Sequence, residues 1–221
     1  MNTYELLAKY YEHIMDDFLY ATYLERILYY TKPTQTLDLG CGTAYLSRKL
    51  SEKGYSVDAV DNSEEILEVA NHYAVLENLS TIQFYKQDMT ETFNKMYGLI
   101  IASVDVINHA KDESTMKQII DNLYDHLIEG GYLLIDFLKC EYIKKMDGYE
   151  ETILLDDTNI IWHVEKGDKP CSVVHTIQID DHHATHQEFS IPRDKIQSML
   201  SAFKLVECMD LEERRFFIFK K

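Results

Sequence analysis

Residues 36–46 read TLDLGCGTAYL, and this stretch decides the fold of the chain. An apolar strand runs through Asp38, and Gly40 and Gly42 follow one residue apart before a helix begins. Because glycine has no Cβ, the chain can turn sharply here and a ligand can approach the bare backbone. A strand, a glycine-rich turn and a helix N-terminus together predict a binding site for a nucleotide-like ligand.

Two more acids stand at the ends of the next predicted strands. Asp61 ends the strand predicted at 56–60, and Asp88 follows the strand predicted at 81–85. A carboxylate at the end of the second strand can accept hydrogen bonds from both hydroxyls of a ribose. The carboxylate of Asp88 could accept from an exocyclic amine such as that of adenine. With Asp38, these acids predict a ligand spread along the carboxyl edge of a parallel sheet.

These ordered motifs resemble those of class I S-adenosylmethionine-dependent methyltransferases, and the resemblance runs from about Tyr11 to the C-terminus. The matching segments are 38–43 (DLGCGT), 60–61 (VD), 87–89 (QDM) and 130–136 (GGYLLID). Where the dinucleotide-binding fingerprint has its third glycine, this chain has Tyr45, which favours a ligand without a pyrophosphate. A Rossmann dehydrogenase that binds NAD or FAD is therefore the weaker interpretation.

The resemblance implies S-adenosylmethionine as the cofactor and an α/β fold. The expected architecture is a Rossmann-like, doubly wound, seven-stranded and mostly parallel sheet with helices on both faces, which the alternating strand and helix patterns also favour. The two glycines would lie against the methionine portion of the donor, Asp61 would bind the ribose, and Asp88 with Met89 would bind the adenine. The implied donor-binding residues are Tyr11, Asp38, Gly40, Cys41, Gly42, Asp61, Asn62, Asp88, Met89 and Ser103.

The segment 102–109, ASVDVINH, follows the fourth predicted strand and so lies beside the donor on the acceptor side. In the resembling N-methyltransferases that act on amino sugars, a histidine at the corresponding place acts as the acceptor base, and His109 matches it. A histidine titrates near neutrality and could take the proton of an amine or hydroxyl. The alternative is a structural His109 that caps the following helix or bonds to backbone. Asp105 is the second catalytic candidate, as a group that orients the acceptor.

The composition favours a single domain, 1–221, with a strongly acidic surface. The chain has 221 residues and a formal net charge of −16, from 38 acids and 22 bases. Such a surface repels phosphate backbones and anionic lipid, so nucleic acid is disfavoured as a partner and no membrane is expected. No apolar run is long enough to span a bilayer, and we expect a cytoplasmic protein.

Four cysteines stand singly, at positions 41, 140, 171 and 208. Without a CxxC pair, this spacing argues against a zinc site and against a disulfide scaffold, and a reducing compartment is the default expectation. Cys41 lies inside the glycine turn, where we interpret it as a small neutral residue because no activating base accompanies it.

Two flanking segments are expected to close the site. Residues 1–30 are predicted to form a lid of two amphipathic helices, in which Tyr11, Tyr20 and Tyr23 either close over the donor or pack in the core. Residues 150–191 alternate apolar and polar positions, which predicts an inserted antiparallel platform. The resemblance implies that this platform covers the acceptor site. The apolar face of the lid could pack on its own domain or on a second copy, so the oligomeric state stays open, a homodimer included.

Histidines are frequent in the predicted platform. His182 and His183 are adjacent, so in a strand they point to opposite faces, and their spacing fits no helix-borne metal pair. We therefore predict no metal site and interpret them as a polar hairpin end. His186 enters the strand before Pro192 and could line the acceptor pocket.

The function predicted from these observations is S-adenosylmethionine-dependent methyl transfer to a small-molecule acceptor, an amine or a hydroxyl. Two alternatives stay open. One is a methyltransferase of RNA or protein, for which a basic groove would be needed. The other is a module that binds the donor without catalysis, because a fold and a cofactor site do not by themselves fix a function.

Overall fold

Alternating strands and helices build a seven-stranded sheet, and a four-stranded antiparallel sheet is inserted before its last two strands. The computed structural model describes residues 2–15, 17–155 and 157–221. The strands are β1 (Gln35–Leu39), β2 (Ser56–Asp61), β3 (Ile82–Lys86), β4 (Tyr97–Ala102), β5 (Leu127–Leu138), β6 (Glu150–Leu155), β7 (Thr158–Lys166), β8 (Ser172–Ile179), β9 (His182–Phe189), β10 (Lys204–Asp210) and β11 (Arg214–Lys220). The helices are α1 (Thr3–Leu7), α2 (Tyr11–Ile14), α3 (Asp17–Tyr30), α4 (Tyr45–Ser51), α5 (Glu64–Leu76), α6 (Glu113–His126), α7 (Cys140–Lys145) and α8 (Arg193–Met199), with a 3-10 turn at Val106–His109.

The strand order of the larger sheet fixes where a ligand can bind. The order is β10-β11-β5-β4-β1-β2-β3, with β1 to β5 parallel and β11 antiparallel to both of its neighbours. The chain runs outward from β1 to β3 and then crosses to β4 on the other side of β1. Such a reversal of strand order opens a crevice at the carboxyl ends of the two adjacent strands, here β1 and β4. The expectation of a Rossmann-like, mostly parallel sheet is confirmed.

Helices cover both faces of this sheet because its central strands are apolar on both sides. On one face, Leu37 of β1 is buried in a cluster with Ile119 and Leu123 of α6. On the other, Tyr23 of α3 and Leu50 of α4 are buried together. The two cores hold the carboxyl edge rigid, so the loops that follow each strand are presented from a fixed frame.

The N-terminal segment contains three helices, so the prediction of two was wrong. After Leu7 the backbone changes to turns, with hydrogen bonds from Tyr10 N to Leu7 O and from His13 N to Tyr10 O. Leu7 packs on the inserted sheet with Ile160 and Ile177. The break separates α1, which packs on the inserted sheet, from α2, whose Glu12 forms an ion pair with the Arg48 side chain of α4.

The inserted strands β6 to β9 form a consecutive antiparallel sheet, as expected for the platform. Its inner face is apolar at Ile160, Val164, Val173 and Ile177. Val164 and Val173 form a separate buried cluster with Leu138 and Ile143. The platform is thereby fixed to the end of β5 and to α7. Within the described residues, no helix is both long enough and apolar enough to cross a bilayer.

Cys140 and Cys171 form a disulfide, so the expectation that no cysteines pair was wrong for these two. Cys140 begins α7 and Cys171 lies in the loop before β8, and their Cα atoms are 5.0 Å apart. The pairing depends on the docking of the platform against α7, a tertiary contact that cysteine spacing does not reveal. Cys41 and Cys208 are free.

Loss of this disulfide is expected to lower the free energy of unfolding by about 2–4 kcal/mol. The bond joins residues 31 positions apart, and closing such a loop restricts the unfolded chain. Urea unfolding of Cys140→Ser against Cys208→Ser as the control measures the effect. Alkylation of both Cys140 and Cys171 in the native protein without reductant would contradict the bond itself.

Candidate active site

The turn after β1 requires glycine at two positions. Gly40 and Gly42 have φ of +66° and +55°, where side chains are strained. A Cβ on Gly40 would lie 2.3 Å from Val106 Cγ2, and one on Gly42 would lie 3.3 Å from Tyr11 Cε1. The Tyr11 ring therefore packs directly over the turn.

Asp61 is held by backbone donors at the end of β2. Gly42 N–H donates to Asp61 Oδ2 and Ser63 N–H donates to Asp61 Oδ1, both at 3.0 Å. Burial raises the pKa of Asp61, and these hydrogen bonds oppose the shift. Each carboxylate oxygen keeps a further lone pair. Because Asp61 also lines the neighbouring cavity, it can accept hydrogen bonds from a pair of ligand hydroxyls.

A cavity of about 310 Å³ opens at the carboxyl ends of β1, β2 and β3. Eight of the residues predicted from the sequence line it, namely Tyr11, Gly40, Gly42, Asp61, Asn62, Asp88, Met89 and His109. Asn2, Tyr4 and Gln87 line it as well and were not predicted. Asp88 also holds its own turn, because its carboxylate accepts from the backbone and hydroxyl of Thr90.

The predicted residues Asp38, Cys41 and Ser103 do not line this cavity. Asp38 is buried beneath the turn, where Ser47 Oγ donates to it at 2.6 Å, and burial raises its pKa to about 6. Burial also raises the pKa of the Cys41 thiol, which keeps it neutral. Ser103 is buried at the end of β4. Of the three predicted acids, Asp61 and Asp88 therefore line the cavity and Asp38 does not.

A second cavity of about 330 Å³ adjoins the first and shares Tyr4, Tyr11 and Val104 with it. It lies between the N-terminal helices, the sheet edge, α7 and the inserted sheet. Aromatic walls come from Trp162 and Tyr142. The polar lining consists of Asp105, His175, His186, Glu188, Glu213 and Arg214.

Asp105 lies in a strained turn that Asp136 holds. Val104 and Asp105 have φ of +61° and +70°, a conformation that non-glycine residues rarely adopt. Their N–H groups donate to the Asp136 carboxylate at 3.1 and 3.3 Å. Arg214 Nη1 donates to Asp105 at 2.8 Å and to Asp136 at 3.2 Å. Burial raises the pKa of Asp105 to about 7, against the opposing charge of Arg214.

His109 ends the 3-10 turn after β4 and lies near the boundary of the two cavities. Its Nε2 is 2.7 Å from the Tyr4 hydroxyl and 3.5 Å from Glu188 Oε1. Burial lowers its pKa to about 4, and the charge of Glu188 opposes this shift. The next helix, α6, is capped by Asp112, whose side chain accepts from Thr115 N–H, so His109 is not its cap. A neutral imidazole at this place can accept a proton.

Three histidines surround Glu188, which sequence reasoning did not identify. Glu188 is 6% exposed and lies within 3.6 Å of His109, His175 and His186. The signal that could have found it is the strand pattern, because His186 and Glu188 are alternate residues of β9 and share one face. His182 and His183 are exposed. One side-chain nitrogen or oxygen atom each of His109, His186 and Glu188 lies within 4.8 Å of the others.

Comparison with known families places this geometry in context. The model of the family described as "Tellurite resistance protein TehB" matches residues 23–144, which is more than half of the chain. A protein of Geobacillus sp. (strain WCH70), assigned by name as a methyltransferase, is 28% identical over 250 residues, covering 99% of this chain and 100% of that relative.

Two solved structures share the fold across nearly the whole chain. A S-adenosylmethionine-dependent methyltransferase from Clostridium acetobutylicum ATCC 824 has a TM-score of 0.82 at 21% identity and covers 97% of this chain and 96% of its own. CalS10, an amino pentose methyltransferase from Micromonospora echinaspora solved with S-adenosylmethionine, has a TM-score of 0.71 at 15% identity and covers 97% of this chain and 95% of its own.

Proposed function

We propose that the acceptor of this enzyme is a small molecule with an amine or hydroxyl nucleophile. The chain belongs to the TehB family and is a class I S-adenosylmethionine-dependent methyltransferase. The enzyme uses S-adenosylmethionine as its methyl donor. The observation that carries the proposal is the pair of adjoining cavities, which have Tyr4, Tyr11 and Val104 in common.

The residues of the first cavity fit the donor. The glycine turn is a cradle that a Cβ would fill, and it suits close approach of the methionine portion. Asp61 would bind the ribose hydroxyls, and Asp88 with Met89 would bind the adenine. Asp38 would hold the turn from below. When bound, the donor supplies an electrophilic methyl group on a positively charged sulfur.

Transfer of this methyl is an in-line displacement, so alignment and exclusion of water provide most of the catalysis. Tyr4 and Tyr11 are half-buried and line both cavities, where they would shield the reacting atoms from water. His109 would take the proton that the acceptor loses. Asp105, fixed by Arg214, would orient the acceptor.

The charge of the second cavity favours an amine over a hydroxyl. Its lining holds three carboxylates, Asp105, Glu188 and Glu213, against the single guanidinium of Arg214. Its aromatic residue Trp162 could add a cation–π contact. An excess of negative charge attracts a protonated amine. The structural neighbour CalS10, whose name states that it methylates an amino pentose, agrees with this preference.

An acceptor screen tests the proposal. Purified protein with labelled S-adenosylmethionine is offered glucosamine, spermidine, catechol, phenol, bulk tRNA, ribosomal RNA and a mixed protein extract. We expect methylation of a small molecule, with amines ahead of hydroxyls. Methylation of RNA or protein alone would overturn the proposal. Binding of the demethylated product without turnover of any acceptor would instead support a donor-binding module.

Asp61→Asn is expected to weaken binding of the demethylated product, S-adenosylhomocysteine, by about 10–100-fold. The substitution removes the charge that strengthens hydrogen bonds to hydroxyl donors, an effect of about 1.5–3 kcal/mol. Titration calorimetry measures the dissociation constant. Asp121→Asn, on the exposed face of α6, is the control and should bind as the wild type does. Equal affinities for both variants would remove Asp61 from the donor site.

A further inference from the structure

Glu188 is a buried carboxylate that lies 3.5 Å from the proposed base, His109. We infer that Glu188 is a positioning residue of the acceptor site, which orients His109 and stabilises the proton that His109 takes from the acceptor. The inference rests on the proposed function, and it assigns Glu188 of β9 and its histidine neighbours to one ion-paired unit.

Glu188 is buried, and no permanent cation is among its ion-pair partners in the described residues. In the described part of the chain, the ion-pair partners of this carboxylate are histidines: His175 at 3.2 Å, His186 at 3.4 Å and His109 at 3.5 Å. A buried carboxylate without partners is strongly unfavourable. Burial alone would raise the pKa of Glu188, but the neighbouring imidazoles of His175 and His186 outweigh it and hold this pKa well below its usual value. Glu188 therefore stays anionic.

The hydrogen bond from Trp162 determines the tautomer of His175. Trp162 Nε1–H donates to His175 Nδ1 at 2.9 Å, and an indole nitrogen can only donate. His175 Nδ1 must therefore carry a lone pair, which leaves the ring proton on Nε2, 3.2 Å from Glu188 Oε2. The rings of His175 and His186 stack with centroids 4.6 Å apart. This packing fixes one oxygen of Glu188 and leaves Oε1 for His186 and His109.

Glu188 Oε1 affects the protonation of His109. An anion beside an imidazole stabilises its protonated form. Burial works against that form at His109, where it lowers the pKa to about 4. His109 first takes the proton of the protonated amine or of the hydroxyl, and Glu188 stabilises the resulting imidazolium. The lone pair that this frees on the acceptor then forms the bond to the methyl carbon, while the carbon–sulfur bond breaks and its electrons stay on sulfur.

Other titratable groups also face this unit and could contribute to its pH dependence. They are Tyr4 of α1, Tyr11 of α2, Asp105 before the 3-10 turn, His175 of β8 and His186 of β9. Burial raises the pKa of both tyrosines, so they stay neutral near pH 7. Asp105 is the only other acid among these groups, and Arg214 pairs with it. Glu188 is therefore the group whose charge His109 senses most directly.

Nuclear magnetic resonance titration of the histidine rings tests the inference without any ligand. In 15N-labelled protein, we expect His175 to carry its proton on Nε2. Glu188→Gln should lower the midpoint of the His109 titration by about one pH unit or more, because a neighbouring anion is lost. Glu165→Gln removes an exposed carboxylate beside His163 and should leave His109 unchanged. An unchanged His109 midpoint in Glu188→Gln would overturn the inference.

Kinetics with the best acceptor of the screen give a second measurement. Glu188→Gln should reduce kcat by about 10–100-fold and move the acid limb of the pH profile to lower pH, with unchanged affinity for S-adenosylhomocysteine. Glu188→Asp keeps the negative charge, so the acid limb of its pH profile should lie where it does in the wild type. This variant replaces Glu188→Gln in the test if the glutamine variant does not fold. Loss of activity in a chelator with recovery in Zn²⁺ would assign the cluster to a metal instead. Failure of the wild type to methylate anything would contradict the proposed function. The His109 titration midpoint in Glu188→Gln would still test the role of Glu188.

Discussion

Asp136→Ala is expected to lower the free energy of unfolding by about 3–5 kcal/mol, because it breaks a buried charged network. Asp136 is fully buried in β5. Its carboxylate accepts from the Tyr23 hydroxyl, from Arg214, and from the N–H groups of Val104 and Asp105. The alanine variant leaves the guanidinium and two backbone donors buried with fewer partners, and it releases the strained turn beside the acceptor cavity.

Urea unfolding of the wild type and of Asp136→Ala measures this difference. The control is Asp121→Ala, which removes an acid whose ion pair with Lys117 is exposed on the surface of α6. Exposed pairs contribute about 0–1 kcal/mol, so the control should remain close to the wild type. A loss below about 1 kcal/mol in Asp136→Ala would show that the network is not needed for stability.

The donor side of the fold could be predicted because its determinants are local in sequence. The glycine turn, Asp61 and Asp88 each follow directly from a strand of β1 to β3, and parallel strands bring their carboxyl ends to one edge. The packing of Tyr11 over Gly42 needed one long-range contact, which the resemblance implied. The local chemistry of glycine and of strand ends was therefore sufficient to predict most of the candidate donor-binding residues that line the first cavity.

The acceptor side could not be predicted in the same way, because its groups are distant in sequence. Tyr23 and Asp136 are 113 residues apart, and Arg214 is 109 residues from Asp105. Arg214 reaches both acids because β11 lies antiparallel beside β5, and neither the pairing nor its register can be read from spacing. Glu188 is a similar case, since its burial depends on how the inserted sheet docks.

His109→Ala is expected to reduce kcat by about 10²–10⁴-fold, the usual contribution of a positioned general base. Affinity for S-adenosylhomocysteine should change by less than about threefold, because the glycine turn and Asp61 would remain. Single-turnover methylation of the best acceptor measures the loss. His72→Ala, on the exposed side of α5, is the control and should behave as the wild type does. Unchanged turnover in His109→Ala would exclude His109 as the base.

The pH profile of His109→Ala also distinguishes an amine from an aliphatic alcohol as the acceptor. An amine that has already lost its proton in solution no longer needs a base, so the rate of the variant should rise with pH up to the pKa of the amine. For a simple aliphatic amine this pKa is close to that of a lysine side chain, about 10.4. An aliphatic alcohol does not ionise in this range, so its methylation by the variant would stay slow at every pH, whereas a phenol ionises near about pH 10 and would recover as an amine does. Recovery at high pH would therefore support the role of His109 and exclude an aliphatic alcohol as the acceptor.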